Sequence, residues 1–302
     1  MNVLSPGEIL LGTSSWSEPT WEGVFYPAGT RPADYLSHYA TRFRTVEVDA
    51  TYYRVPDRRM TAAWARRTPA DFVLSAKFTR TIVHGGDAET PDPSKLLKRD
   101  VVGRDVDAFL DAMQELGAKC GPLVLQFPRF AKKAFAGSTP FLERLDAFLE
   151  TLPRGFRYAV EVRNREWLTE ELASILRRHR AALVLVEMKN MPHPADVAKV
   201  DVVTTDFVYA RLIGDRRLTD VLSQGRWDRT TVDRSANLER WGQLLRALRH
   251  RVPRLLVYAN NHYAGYAPTT VEKLAELVGV ALPAAGAPPV RRDKEPDQLR
   301  LL

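Results

Sequence analysis

Short apolar runs alternate with segments of helical periodicity along most of the chain. The runs are rich in Val, Leu, Ile and aromatic residues, which is typical of buried strands. We predict strands at 9–13, 45–48, 72–77, 123–126, 158–162, 183–187, 207–212 and 255–260. Their starts lie roughly 24 to 51 residues apart, about the length of one strand and one helix. Eight such units in sequence predict an α/β fold, a TIM (β/α)8 barrel.

Helix signals fill most of the connections between these strands. Amphipathic patterns predict helices within 32–43, 57–67, 104–116, 141–152, 169–178, 237–248 and 269–278. Asp57 is of the residue type that caps a helix N-terminus. The connection between the sixth and seventh strands contains Met191-Pro-His-Pro194, so it has room for only a short helix.

Two connections are unusually long, 79–99 after the third strand and 214–233 after the seventh. Both follow the carboxyl ends of strands, so we expect them to overhang the mouth of the barrel, where active sites of this fold lie. They would be lids over a ligand or plain surface loops. Residues 1–280 are predicted to form one barrel domain, and 281–302 a Pro/Ala-rich, charged C-terminal tail.

The composition agrees with a closed barrel and narrows the setting. A length of 302 residues with 45% hydrophobic residues suits one such domain. The single cysteine, Cys120, excludes an intramolecular disulfide and a cysteine-based metal cluster. Because the chain has neither a signal-like N-terminus nor a long apolar stretch, we expect a cytoplasmic protein without a membrane partner.

The chain is basic, with a net charge of +7 and a pI near 9.5. Such a charge favours nucleic acid or another polyanion as a partner. However, no run of five basic residues occurs, and clusters such as 177–180 are more often solvated helix surface. The charge therefore leaves nucleic acid as an alternative partner.

Polar residues recur where the predicted strands end. Alternate residues of a barrel strand point into the lumen, so a polar group near the carboxyl end points toward the substrate. The resulting ring supplies the catalytic candidates Glu47, Asp49, Lys77, Glu161 and Glu187. The substrate-binding candidates at the same mouth are Thr13, Ser15, Trp16, Tyr52, Tyr53, Gln126, Arg163, Arg211, Asn260, Asn261 and His262.

The ring combines four carboxylates with the three cations Lys77, Arg163 and Arg211. Part of this charge can neutralise internally, and an unpaired arginine could hold a phosphate or carboxylate. A glutamate beside other carboxylates could have a raised pKa and act as a general acid or base. Lys77, if desolvated, could be a proton shuttle or an imine-forming amine.

Metal chemistry has less support, because no predicted strand ends in histidine. We predict no cofactor and no metal residues, and keep a carboxylate-bound Mg²⁺ or Mn²⁺ as an alternative. Aromatic residues also crowd the mouth. They would stack on a sugar or base, or form a plug between the first two loops, and they are Trp16, Trp21, Phe25, Tyr26, Tyr52 and Tyr53.

Several of these segments resemble the domain-of-unknown-function 72 family, also called YecE-like, from about residue 9 to 278. They are Gly12-Thr-Ser-Ser-Trp16, Trp21, Phe25-Tyr-Pro27, Val46-Glu-Val-Asp-Ala-Thr-Tyr-Tyr53, Lys77, Glu161-Val-Arg163, Trp167, Tyr209-Ala-Arg-Leu212 and Asn260-Asn261. The resemblance implies a TIM barrel with loose kinship to endonuclease IV and sugar isomerases, but no reaction. It also implies Asn in place of Asp49, and His in place of Asn164 and of Ile213. These departures weaken a histidine-metal mechanism.

We therefore expect an enzyme of hydrolase, isomerase or lyase type that acts on a small anionic, phosphate- or carboxylate-bearing and even sugar-like substrate. In this hypothesis Arg163, Arg211 and Lys77 hold the anion, and Glu47 and Glu161 perform acid/base work. The alternatives are a nucleic-acid-binding protein or phosphodiester hydrolase, and a ligand sensor without catalysis. The sequence does not predict an oligomeric state.

Overall fold

Eight parallel strands form the frame of the protein, as the spacing of apolar runs predicted. A computed structural model describes residues 6–197 and 199–284. The strands are β1 Glu8–Thr13, β2 Thr45–Val48, β3 Val73–Lys77, β4 Cys120–Gln126, β5 Tyr158–Glu161, β6 Ala181–Met188, β7 Phe207–Gly214 and β8 Arg254–Ala259. Their order around the sheet is β1-β8-β7-β6-β5-β4-β3-β2. The fold is thus a nearly closed (β/α)8 barrel.

The barrel closes between β1 and β2 through few contacts. An isolated bridge joins Ser14 to Glu47, and the amide of Ser15 donates to the Glu47 carbonyl over 2.8 Å. Lower down, a Cβ atom on Gly12 would lie 2.1 Å from the carbonyl oxygen of Thr45. Only glycine permits this approach of the two strands.

Helices alternate with the strands and cover the outside of the barrel. Within the described residues they are α1 Tyr35–Tyr39, α2 Arg58–Arg66, α3 Arg80–His84, α4 Arg99–Gln114, α5 Thr139–Glu150, α6 Glu170–Arg178, α7 Arg216–Ser223, α8 Ser235–Leu248, α9 Asn261–Ala264 and α10 Ala267–Val278. The Asp57 carboxylate caps α2 by accepting from the Arg59 amide at 2.7 Å. Between β6 and β7 the described residues form only the 3-10 turn Pro194–Asp196, as the prolines predicted. Over the ranges that the structure describes, no helix is long and apolar enough to cross a membrane.

The core has two layers that define which way each side chain points. The lumen is filled by one buried cluster that includes Leu10, Val124, Ala159, Val184 and Tyr209. A larger cluster lies between the sheet and the helices. Because successive side chains of a strand point to opposite faces, membership of these clusters fixes the orientation of the polar residues nearby.

Both long connections contain a helix at the mouth. The connection after β3 begins with α3, and the one after β7 begins with α7. Helix α7 packs against α9, the short helix after β8. The predicted tail begins at Ala281, and its residues 285–302 lie outside the described part of the chain.

Candidate active site

Arg211 lies at the centre of the barrel mouth and is almost completely buried. Its Nε and Nη2 atoms donate to Oε1 of Glu47 at 3.2 and 2.9 Å. Its Nη1 atom donates to Glu161 and, at 2.7 Å, to Gln126 Oε1. The hydroxyl of Tyr209 donates to the other Glu47 oxygen at 2.7 Å. We call Arg211, Glu47, Glu161 and Gln126 the floor of the mouth.

The shifted pKa values favour the charged forms of Glu47, Glu161 and Arg211 in the floor, because these charges compensate one another. Burial would raise the pKa of Glu47, but Arg211 and Lys77 lower it to about 2. The pKa of Glu161 is also lowered, since Arg211 and Arg163 outweigh the effect of burial. Burial would lower the pKa of Arg211, yet Glu161 and Glu47 keep it well above its usual value. For Glu47 and Glu161 the expectation of a raised pKa was therefore wrong, because each of them faces two cations.

Charged groups at the edge of the floor remain partly open to solvent. Lys77 Nζ contacts Asp49 Oδ1 and lies 3.7 Å from Glu47 Oε1. The Asp49 side chain is 33% exposed. Arg163 donates through Nε to Glu161 Oε1 at 2.7 Å, and its side chain is 24% exposed. A ligand entering the mouth would therefore meet Asp49 and Arg163 before the buried floor.

Asp49 is close to several sides of the mouth. Its charge acts on Tyr52 near the end of β2, on Arg211 in β7 and on His262 after β8. Burial is the main cause of the lowered pKa of His262. The structure thus brings together most of the predicted ring, with Asp49 at its edge.

Glu187 does not join the ring, although its position at the end of β6 predicted that it would. Val184 and Val186 fill the lumen, so the next residue in the strand points outward. The Glu187 carboxylate accepts from Asn237 Nδ2 at 2.7 Å, from Trp241 Nε1 at 2.6 Å and from the Tyr263 hydroxyl at 2.9 Å. This site lies between the barrel and α8, where Glu187 is satisfied by hydrogen bonds.

Thr13, at the end of β1, differs from expectation, whereas the binding role of Ser15, just after the strand, stays a prediction. Leu10 points into the lumen, and side chains alternate along the strand, so Thr13 points to the outer face. There its hydroxyl donates to the Tyr39 hydroxyl at 2.9 Å. Ser15 has a positive φ of 89°, and its Oγ accepts from the Ser17 amide at 3.1 Å. The same alternation of side chains places Ser14 on the lumen side. Its buried Oγ has no partner among the described residues. Sequence reasoning did not single out Ser14.

The residues after β8 connect the mouth to α7. Asn260 Oδ1 accepts from the amide and from Nδ1 of His262 at 2.9 and 2.6 Å. His262 Nε2 lies 3.0 Å from Asp220 Oδ1 on α7. Asn261 Oδ1 accepts from the Ala267 amide at 3.0 Å. Asn260 and His262 therefore lie at the mouth, whereas the side-chain oxygen of Asn261 holds the start of α10.

The aromatic residues divide between a plug and the rim. Trp21, Phe25 and Tyr26 are buried and pack with one another. Trp16 packs edge-to-face on Trp64 of α2, with ring centroids 5.6 Å apart. The plug interpretation thus describes most of these residues. Tyr53 is 67% exposed, and the Tyr52 ring lies edge-to-face against it, so the pair remains at the rim.

Sequence reasoning did not assign two residues of α3, Arg80 and His84, to the site. His84 Nε2 lies 2.9 Å from the Tyr52 hydroxyl, and the charges of Arg80 and Arg163 both act on this pair. The sequence offered only the position of both residues just after the third strand. The positions of these residues in the sequence gave no indication that they contact the loop after β2.

A metal site is not evident from the donor geometry. Among the residues described, no group of three or more His, Cys, Asp or Glu side chains is arranged to hold an ion. A single carboxylate-bound Mg²⁺ or Mn²⁺ stays a prediction. The catalytic and binding roles given to the ring residues also stay predictions.

A family model described as "Protein of unknown function DUF72" matches residues 10–294. The chain belongs to the DUF72 family. The UPF0759 protein YecE of Escherichia coli K12 is 30% identical over 162 residues, which is 54% of this chain and 51% of YecE. The UPF0759 protein YunF of Bacillus subtilis is 24% identical over 163 residues, 53% of this chain and 52% of YunF. The matched region thus spans about half the length of these curated relatives.

Solved DUF72 structures share the fold over nearly the whole chain. A DUF72 protein of Thermotoga maritima has a TM-score of 0.64 at 24% identity and covers 90% of this chain and 99% of its own. One from Enterococcus faecalis has a TM-score of 0.66 at 19% identity, with 97% and 100% covered. These likenesses confirm the barrel, and the family model confirms the family resemblance.

Proposed function

We propose that the mouth of the barrel is the active site of an enzyme that uses acid/base chemistry on a small anionic substrate. The observation that carries the proposal is the Lys77–Asp49 contact at the boundary between the buried floor and solvent. A lysine and a carboxylate in contact beside an open mouth can donate a proton to a bound molecule or accept one from it. This favours a hydrolase, isomerase or lyase type of reaction.

The buried floor supports this contact without reacting itself. Arg211 is hydrogen-bonded to Glu47, Glu161 and Gln126, so it has little capacity left for a ligand. Glu47 also faces Lys77 at 3.7 Å. In this proposal, Glu47 and Glu161 are counterions that position Lys77 and Arg163, rather than the acid and base first assigned.

The edge residues would contact the substrate. Arg163 uses Nε for Glu161 and has no other hydrogen bond to a described residue, so its terminal nitrogens can bind a carboxylate or phosphate. Asn260 and His262 lie just after β8, which is three strands away from β5 in the sheet order. They would orient the substrate while Lys77 and Asp49 transfer the proton.

The test is turnover of a mixture of phosphorylated and carboxylated metabolites, including sugar derivatives, followed by NMR. We expect Lys77→Met and Asp49→Asn to lower turnover about 100-fold or more, as for loss of a general acid or base. Lys95→Met is the matched control, because Lys95 pairs with Asp92 at 3.3 Å on an exposed loop. Undiminished turnover in folded Lys77→Met would refute the assignment.

Nucleic-acid binding is the second candidate, and one segment favours it. The loop after β4 exposes Arg129, Lys132 and Lys133, and segment 127–138 contains no acidic residue. Phosphate-backbone binding would weaken steeply with added salt. DNA affinity that is unaffected by replacing these three residues with Gln would exclude this loop as the interface. A ligand that binds the mouth without any turnover would instead support the sensor alternative.

A further inference from the structure

A second group of side chains gathers at the mouth beside the floor. Tyr52 follows β2, Arg80 and His84 belong to α3, and Arg163 follows β5. The two arginines both act electrostatically on Tyr52 and on His84, so the four side chains lie close together. None of the hydrogen bonds that hold the floor requires Tyr52, Arg80 or His84.

The Tyr52–His84 pair is uncharged. His84 Nδ1 lies 3.2 Å from the carbonyl oxygen of Ala88, which only a protonated nitrogen can bind. Nε2 is then the acceptor for the Tyr52 hydroxyl at 2.9 Å. Burial is the main cause of a lowered pKa for His84, so the ring is neutral near pH 7. The pair forms a polar wall without adding or removing charge.

Arg80 has a buried nitrogen that nothing in the described chain satisfies. Its Nε atom is buried without a hydrogen-bond partner, and no ion pair joins Arg80 to a carboxylate of the described residues. A buried donor in this state is costly, so the protein itself does not satisfy the Arg80 guanidinium. Arg80 therefore has no partner within the described residues that competes with a bound anion.

The arginines also give this corner an excess of positive charge. Arg163 shares Glu161 with the fully buried Arg211. Asp49 also acts on Tyr52, but its carboxylate contacts Lys77. With Arg80 included, four cations therefore face three carboxylates at the mouth. Two guanidinium groups retain unused N–H donors within the ranges described.

We propose that Arg80 and Arg163, lining the wall formed by Tyr52 and His84, are the binding subsite for the phosphate group of a phosphate monoester. Two planar guanidinium groups match the several oxygens and the double negative charge of this group better than those of a carboxylate. The inference rests on the proposed function, since it names the class of substrate for the same mouth. It also adds Arg80 to the binding residues.

The test is calorimetric titration of the full chain with inorganic phosphate and, separately, with acetate. We expect phosphate to bind more tightly than acetate, and Arg80→Gln to weaken phosphate binding about tenfold or more. Arg80→Lys should cause an intermediate loss, because an ammonium group keeps the charge but not the fork. Arg254→Gln is the matched control, since Arg254 begins β8 at the end of the barrel away from the mouth and pairs with Glu8 on the surface.

Two results would overturn the subsite: acetate binding as tightly as phosphate, or unchanged phosphate affinity in both Arg80 variants. Melting curves of the variants show whether each is folded. If Arg80→Gln does not fold, the phosphate affinity of Arg80→Lys provides the test. Because calorimetry needs no turnover, the subsite and the proposed function fail separately. Phosphate binding without turnover refutes only catalysis, whereas Lys77-dependent turnover without phosphate binding refutes only the subsite.

Discussion

Arg211 and Glu47 meet in the barrel lumen through two hydrogen bonds to one carboxylate oxygen, at 2.9 and 3.2 Å. Both side chains are almost completely removed from solvent. A buried ion pair contributes little net stability, but removal of one partner leaves an uncompensated charge. Here one arginine compensates two buried glutamates, so the consequences of removing it should be large.

We expect Arg211→Met to lower the free energy of unfolding by about 3 to 5 kcal/mol, because Glu47 and Glu161 would lose their shared cation. Urea denaturation measures this change. Arg254→Met is the control, since Arg254 pairs with Glu8 over 3.0 Å on the surface, with side chains 39% and 36% exposed. The control should lose less than about 1 kcal/mol. Equal losses in both variants would contradict a stabilising role of the floor.

The lowered pKa of Glu47 makes stability depend on pH in the acidic range. Its folded pKa of about 2 lies below the usual 4.5, so the folded state favours the ionised carboxylate. The resulting stability is present above pH 4.5 and is lost as the pH falls toward 2. The lowered pKa of Glu161 acts in the same direction. The full effect for Glu47 is on the order of 3 kcal/mol.

Unfolding free energies measured between neutral and strongly acidic pH test this dependence. We expect Glu47→Gln to be less stable than wild type at neutral pH and to lose less stability on acidification. Glu170→Gln is the control, because Glu170 has a lowered pKa through Arg177 but its side chain is 58% exposed. If Glu47→Gln and the wild type respond equally to acid, the floor is not the source of the pH dependence.

The strands could be predicted from the sequence because each is a short apolar run bounded by turn residues. The predicted Tyr158–Val162 and the observed Tyr158–Glu161 differ by one residue. The contents of the long connections were harder to predict, since α3 and α7 have only five and eight residues. Helices this short are stabilised by tertiary packing rather than by their own sequence.

The direction of a side chain could be predicted only where polar residues alternate with apolar ones. Glu47 follows this rule, because Val46 and Val48 are on the opposite face from it. β6 reads AALVLVEM and is apolar almost throughout, so it contains no alternation from which to assign Glu187. Arg80 and His84 were missed for a different reason. Their contact with Tyr52 depends on how two loops pack, which no local pattern encodes.

The outward position of Glu187 gives a prediction that separates structure from function. Its carboxylate is buried and accepts three hydrogen bonds. We expect Tyr263→Phe to lower the free energy of unfolding by about 1 to 3 kcal/mol, because one oxygen of a buried carboxylate loses a donor. Ligand binding at the mouth should be unchanged, as measured by calorimetry.

Tyr53→Phe is the control for this substitution. It also removes a tyrosine hydroxyl, but Tyr53 is exposed and its hydroxyl has no buried partner among the described residues. It should leave stability within about 0.5 kcal/mol of wild type. Should Glu187→Gln abolish ligand binding in a protein that is otherwise folded, the catalytic role first assigned to Glu187 would be restored.

His262 links the end of β8 to α7, and this contact should restrain the helix over the mouth. Its Nδ1 lies 2.6 Å from Asn260 Oδ1, and its Nε2 lies 3.0 Å from Asp220 Oδ1 on α7. We expect Asp220→Asn to accelerate amide hydrogen exchange in α7 several-fold, since a partly exposed polar contact contributes on the order of 1 kcal/mol. Exchange in the buried strand β7 should not change.

Arg216→Gln separates this link from the helix's own ion pair. Arg216 Nε lies 3.4 Å from Asp220 Oδ2 one turn away in the same helix, so the variant removes that pair and leaves His262 in place. If exchange in α7 accelerates equally in Arg216→Gln and Asp220→Asn, the effect comes from the pair within the helix. Acceleration confined to Asp220→Asn would show that the His262 contact restrains α7, because only that variant removes the carboxylate that faces His262.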